Sequence, residues 1–97
     1  MEVELLYWEG CPSHPDALAD LRAALGEDVP IAVREIVTEE DAARERFPGS
    51  PTIRVDGVDL FPSDEPPSLT CRIYRLADGR FSPTPDPDAL RAALVDA

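Results

Sequence analysis

Residues 3–14 read VELLYWEGCPSH, an apolar and aromatic run from Val3 to Trp8 that is stopped by Gly10 and Pro12 and leaves Cys11 where the chain must turn. Six residues with almost no breakers mark a well-buried strand. Beyond the turn, Ala17, Leu18, Leu21, Ala24 and Leu25 recur at spacings of three and four, and Gly26 stands where a helix terminates. The spacing predicts a helix over Asp16 to Leu25, so Cys11 lies between a strand end and a helix start.

The same punctuation continues downstream. Ile31 to Val37 (IAVREIV) is rich in β-branched residues and follows Pro30, and Thr38 then offers a hydroxyl cap to the acidic turn Glu39-Glu40-Asp41. This predicts a second strand running into a second helix with Ala42, Ala43 and Phe47, ended at Pro48-Gly49. Thr52 to Val55 (TIRV) reads as a short third strand, Asp56-Gly57 as a turn, and Thr70 to Leu76 (TCRIYRL) as a fourth strand after a proline-rich connection from Phe61 to Ser68. Asp86 as cap, Pro87 at the first helical position and Leu90, Ala93 and Leu94 on one face define a closing helix. The order is βαβαββα: strands one and two are expected to be parallel through a right-handed crossover, and the late strands antiparallel.

Length and charge narrow the class. The 97 residues form one expected domain, and 43% hydrophobic content is enough for a core. Twenty acidic residues against nine basic ones, all arginine, give a formal net charge of -11, which makes nucleic acid and anionic membranes poor partners. No stretch approaches the roughly 20 apolar residues of a membrane span, and Met1-Glu2-Val3-Glu4 lacks the basic region of a secretion signal, so a cytoplasmic location is expected. In that setting two cysteines 60 positions apart are expected to be thiols rather than a structural staple.

The element order, together with a cysteine at the first strand-to-helix turn and Ser50-Pro51-Thr52 opening the third strand, resembles the thioredoxin superfamily in its minimal, glutaredoxin-sized form. The resemblance spans nearly the whole chain, 1–97, and implies a four-stranded mixed sheet in the order 2-1-3-4 with helices on both faces. It also implies a cis bond before Pro51, facing Cys11. Cys11-Pro12-Ser13-His14 stands where the family carries C-x-x-C or C-x-x-S; His14 replaces the second cysteine, so no dithiol cycle is available within this motif. The stretch Gly10-Cys11-Pro12 with Phe47 to Ile53 also looks like small bacterial thioredoxin-like proteins, some labelled as relatives of organomercurial lyases.

The chemistry this suggests is monothiol exchange. At a helix N-terminus, unpaired N–H groups and the positive end of the macrodipole favour thiolate at Cys11, and Pro12 suits a helix start. His14, one turn on, could donate to the sulfur or pair with it as imidazolium, or could be an ordinary surface residue. Glu9, Asp16 and the overall negative charge act in the opposite direction. With Cys11 and His14 as catalytic candidates, Pro12, Ser13, Ser50, Pro51, Thr52 and Trp8 are the candidate substrate-binding residues: the Ser50 backbone could pair with an extended peptide or with glutathione as an added strand, and Trp8 could line the groove. No resident cofactor is called for, glutathione being a possible co-substrate. The expected partners are a protein disulfide or a glutathione-like thiol, with the oligomeric state open.

Cys71 is expected to be a buried core thiol on the same strand face as Ile73. In the minimal fold strand three separates strands one and four, which puts Cys71 two strand spacings, ~9.6 Å, from Cys11 and beyond the ~7 Å reach of a disulfide. Cys11 and His14 supply two metal ligands where zinc usually takes four, so no metal site is assigned. Arg54 and Arg72 call for carboxylate partners, Glu4 being one candidate for such a role. Two other classes stay open: a non-catalytic adaptor on a thioredoxin scaffold, suggested by the missing second cysteine, and soft-metal handling linked to mercury or arsenic, suggested by Cys11, His14 and the family label.

Overall fold

The computed structural model describes every residue from Met1 to Ala97. Its central sheet has four strands, β1 (Val3–Tyr7), β2 (Ile31–Glu35), β3 (Thr52–Val55) and β4 (Val58–Asp59), in the spatial order β2-β1-β3-β4. β1 pairs in parallel with β2, Leu5 opposite Val33, and antiparallel with β3, Leu5 opposite Ile53. Three helices complete the α/β fold: α1 (His14–Leu25), α2 (Glu39–Glu45) and α3 (Pro87–Asp96). None is long and apolar enough to cross a membrane.

Alternation along β1 divides the interior into two layers. Val3 and Leu5, with Ile53 and Val55 of β3, pack against Ala17 and Leu21 of α1 and Leu90 and Leu94 of α3. Leu6 points to the opposite face and joins Ile36, Ala42 of α2 and Phe47. The helices therefore cover both faces, two on one side and one on the other, and β1 is buried twice over, which is why its sequence reads as a continuous apolar run. Each fully buried Leu in these layers contributes about 2 kcal/mol of transfer free energy.

The capping chemistry follows the sequence. Thr38 Oγ1 accepts a hydrogen bond from the Asp41 amide at 3.0 Å, and Asp86 Oδ1 one from the Asp88 amide at 2.9 Å behind Pro87. Several boundaries move: β1 and β2 end at Tyr7 and Glu35, one and two residues before the predicted Trp8 and Val37, and two helix ends shift. α1 begins at His14, two residues before the predicted start, with Pro15 tolerated in its first turn. α2 stops at Glu45 because Arg46 takes a left-handed conformation (φ 53°), ahead of Pro48-Gly49.

The larger difference is the fourth strand. The residues after the Asp56-Gly57 turn, Val58–Asp59, close the sheet, with Val58 opposite Val55. Thr70 to Leu76 does not join that sheet: only Tyr74–Arg75 is a strand (β5), paired antiparallel with β6 (Phe81–Ser82) in a separate ribbon. A two-residue strand has no periodicity to read, so the stronger β-branched signal downstream attracts the assignment.

Arg54 finds Glu45 rather than Glu4. The Glu45 carboxylate receives Arg54 Nη1 at 3.3 Å and Arg34 Nη2 at 3.0 Å, while Glu4 pairs with Arg34 at 2.9 Å. The hydrogen bond from Arg34 holds the Glu45 carboxyl below its ordinary value, with burial acting the other way and both arginine charges adding to the depression. A carboxyl depressed in the folded state stabilises it above the unfolded pKa, about 4.3, and that stability fades as pH falls through the folded value. Glu45→Gln is therefore expected to lower the urea midpoint at pH 7, with the gap from wild type closing as pH falls below the ordinary glutamate range, about 4.3; a gap independent of pH would contradict this origin.

Candidate functional site

Cys11 lies beyond the C-terminal end of β1, in a tight turn closed by its own amide donating to the Trp8 carbonyl at 3.0 Å. A Cβ at Gly10 would sit 2.4 Å from the Trp8 ring, so the indole lies directly on the backbone of that turn. Ser13 occupies the cap position of α1, which places Cys11 two residues before the cap and Pro12 outside the helix. Ser13 is buried and makes no capping hydrogen bond; its hydroxyl stands 3.8 Å from Cys11 Sγ.

Cys11 is bonded to Cys71, with the two Cα atoms 5.5 Å apart. This corrects both expectations for Cys71, which is neither a free thiol nor buried: its residue is exposed, as is Ile73 at 68%. The alternation along 71–74 has the expected period and the opposite phase, with Arg72 and Tyr74 turned inward. The distance argument fails for a topological reason. Thr70–Arg72 is not a sheet strand lying beyond β3; it crosses to the Ser50 loop at the sheet's end and forms an isolated parallel bridge between Ser50 and Cys71.

Three anchors hold that segment against the loop. The Ser50 amide donates to the Thr70 carbonyl and the Arg72 amide to the Ser50 carbonyl, each at 2.8 Å. Tyr74 Oη donates to the Pro51 carbonyl at 2.5 Å. The buried Arg72 guanidinium reaches Asp59 at 2.8 Å, Thr52 Oγ1 at 3.3 Å and the Phe61 carbonyl, and lies 4.7 Å from the centre of the Tyr74 ring. Gly49 makes the approach possible: its φ is +142°, and a Cβ there would meet the Arg72 backbone at 3.0 Å. Burial pushes the Tyr74 phenol far above the ordinary tyrosine range, Asp59 adding to the rise and Arg72 opposing it, so the hydroxyl remains a donor.

The Ser50–Pro51 bond is cis. The backbone of Ser50, read from sequence as an open edge for a peptide, has both its N–H and C=O engaged by the chain's own segment 70–72. Thr52 is likewise committed: its hydroxyl donates to Gly49 O at 2.6 Å while accepting from Arg72. His14 is not joined to the sulfur; its ring stacks on Tyr7 with centroids 3.9 Å apart, and its Nδ1 is buried without a hydrogen-bond partner, as is Ser50 Oγ. Trp8 is half-buried and packs against the Leu6–Phe47 layer.

The structure thus joins Cys11 and the Ser50 backbone to Cys71, sets Ser13 beside Cys11, engages Pro51 and Thr52 with Tyr74 and Arg72 of the same segment, and leaves His14 stacked on Tyr7 and Trp8 in the Leu6–Phe47 layer. It adds Arg72, Tyr74 and Asp59, whose function as anchors depends on partners 13 to 23 positions away. A groove of about 600 Å³ opens beside Cys71, lined among others by Phe61, Ile73, Tyr74 and Arg75. The electrostatic setting at the end of β1 is negative: the Tyr7 phenol is raised first by desolvation and then by Glu35 and Glu9. No protein-family profile, curated protein or solved structure matches the chain.

Proposed function

We propose that this chain is a thioredoxin-like thiol–disulfide exchange protein in which Cys11 and Cys71 alternate between a disulfide and two thiols. The observation that carries the reading is the Cys11–Cys71 bond itself, placed at the end of a parallel strand, ahead of a helix and against a cis-proline loop. The cycle uses two thiols, not the single one that His14 in the sequence motif implies. The reduced pair gives two electrons to an external disulfide RSSR: one protein thiolate attacks and expels RS⁻, the other attacks the mixed disulfide and expels a second RS⁻, closing Cys11–Cys71. A glutathione-like thiol or a dithiol protein restores the reduced state, which would be the resting state in a reducing compartment such as the cytoplasm.

The burial of Cys11 favours a second reading, a binding module in which the bond is only a staple. Mixing the reduced protein with oxidised glutathione separates the two. Exchange predicts closure of Cys11–Cys71 with release of two glutathiones, and transfer of electrons to a protein disulfide faster than glutathione alone manages at equal concentration. Reduced protein that does neither would leave only the staple.

A further inference from the structure

Resting on the exchange reading, we infer that the external thiol enters at Cys71 and that Cys11 is the sulfur that leaves. This reverses the roles that a cysteine at the first helix would suggest. A thiolate attacks a disulfide sulfur from the side opposite the leaving sulfur, so access to that side selects which sulfur is attacked. Cys11 is 2% exposed, beneath the segment that carries its partner, whereas Cys71 is exposed and lines the 600 Å³ groove, to which Cys11 contributes nothing. That volume is within the range of sites for small molecules. Ile73 and Tyr74 offer apolar walls, and Arg75, outside every ion pair, offers a cation for the carboxylate of a small peptide thiol.

Two contacts at the Cys11 sulfur act in the same direction. A sulfur departing as Cys11 thiolate has the Ser13 hydroxyl at 3.8 Å and the start of α1 three residues on, both of which stabilise negative charge. Cys71 has no helix behind it; its neighbours Arg72 and Tyr74 are committed to Asp59 and Pro51. These contacts favour departure of Cys11, while burial of its sulfur and the negative setting from Glu9 and Glu35 oppose it, so access to Cys71 carries the choice. The atoms balance as RS⁻ plus Cys71–S–S–Cys11 giving RS–S–Cys71 plus Cys11 thiolate; a second RS⁻ then takes the first as RSSR and frees Cys71 thiolate. The protein gains two electrons and the two external thiols lose them.

The test uses the full oxidised chain with limiting reduced glutathione, quenched with N-ethylmaleimide and cut at arginine, which places Cys11 in residues 1–22 and Cys71 in residues 55–72. Glutathione on the 55–72 peptide with maleimide on 1–22, in about tenfold or greater excess over the opposite pattern, is the expected result. Glutathione on Cys11, or equal division, overturns the inference and leaves the exchange reading standing. Reversal of rates in single-thiol proteins reads the same selectivity: Cys71 in Cys11→Ser should form a mixed disulfide with oxidised glutathione about tenfold faster than Cys11 in Cys71→Ser, and a faster Cys11 would overturn it. Absence of any adduct at either sulfur in both formats overturns the exchange reading, and the inference with it.

Discussion

Replacing Arg72 by alanine is expected to lower the unfolding free energy by about 3–5 kcal/mol, the range found when one partner of a buried ion pair is removed. The side chain is 7% exposed and satisfies the Asp59 carboxylate, the Phe61 carbonyl and the Thr52 hydroxyl at once. Alanine leaves a largely buried carboxylate without its countercharge and a carbonyl without its donor. Asp59 is 20% exposed and keeps the Phe61 amide at 2.9 Å, so water and one hydrogen bond offset part of the loss and the lower half of the range applies. Against a total stability on the order of 5–15 kcal/mol for a domain, that is a large fraction. Lysine at this position should recover little, because a single ammonium cannot serve three acceptors lying around a planar fork. Urea denaturation of Arg72→Ala, Asp59→Asn and the double variant would show the pair as non-additive; a single-variant loss under about 1 kcal/mol would mean that the guanidinium is not the anchor its contacts describe.

Arg72 also shows where reading the sequence succeeds and where it stops. Period-two alternation over 70–76 correctly groups Cys71 with Ile73 and Arg72 with Tyr74, since pleat geometry fixes which side chains share a face. It carries no information on which face is buried, and hydropathy assigns the cysteine and isoleucine inward. The structure does the opposite because Asp59, 13 positions earlier, neutralises the arginine, and Pro51, 23 positions earlier, accepts from the tyrosine. Neither partnership has a local signature. By contrast β1, α1, β2, α2 and α3 are legible because a doubly buried strand, amphipathic spacing and the Thr38 and Asp86 caps act within a few residues.

The same contrast explains the cysteines. The lateral-spacing estimate is sound for a strand lying beyond β3 in the sheet, and Cys71 does not lie in the sheet. Proline-rich residues 61–68 allow the chain to leave the β3–β4 hairpin and return at the end of β1, a path that composition does not specify. Two cysteines in 97 residues was the available signal, and it could be read as a pair only once that path was known.

Reduction of the disulfide is expected to lower the unfolding free energy by about 4 kcal/mol, from the loss of a cross-link closing a 60-residue loop in the unfolded chain. The effect acts on the unfolded ensemble: without the cross-link it expands, so the urea m-value should rise while the folded sheet and helices keep their signal. Cys71→Ser reproduces the change most cleanly because residue 71 is exposed, whereas a serine hydroxyl at buried position 11 adds a desolvation penalty of its own. By reciprocity, a bond that stabilises the fold by 4 kcal/mol is itself favoured by folding about a thousandfold relative to the unfolded chain. The anchors at Arg72 and Tyr74 are side-chain and backbone contacts that do not pass through sulfur, so in the reduced protein they continue to hold Cys71 over Cys11. Urea unfolding with and without a reductant measures the stabilisation, and an unchanged midpoint on reduction would remove the cross-link from the account of stability. Reduction that unfolds the domain outright would identify a staple, because an exchange protein must remain folded in both redox states to pass electrons through the same groove.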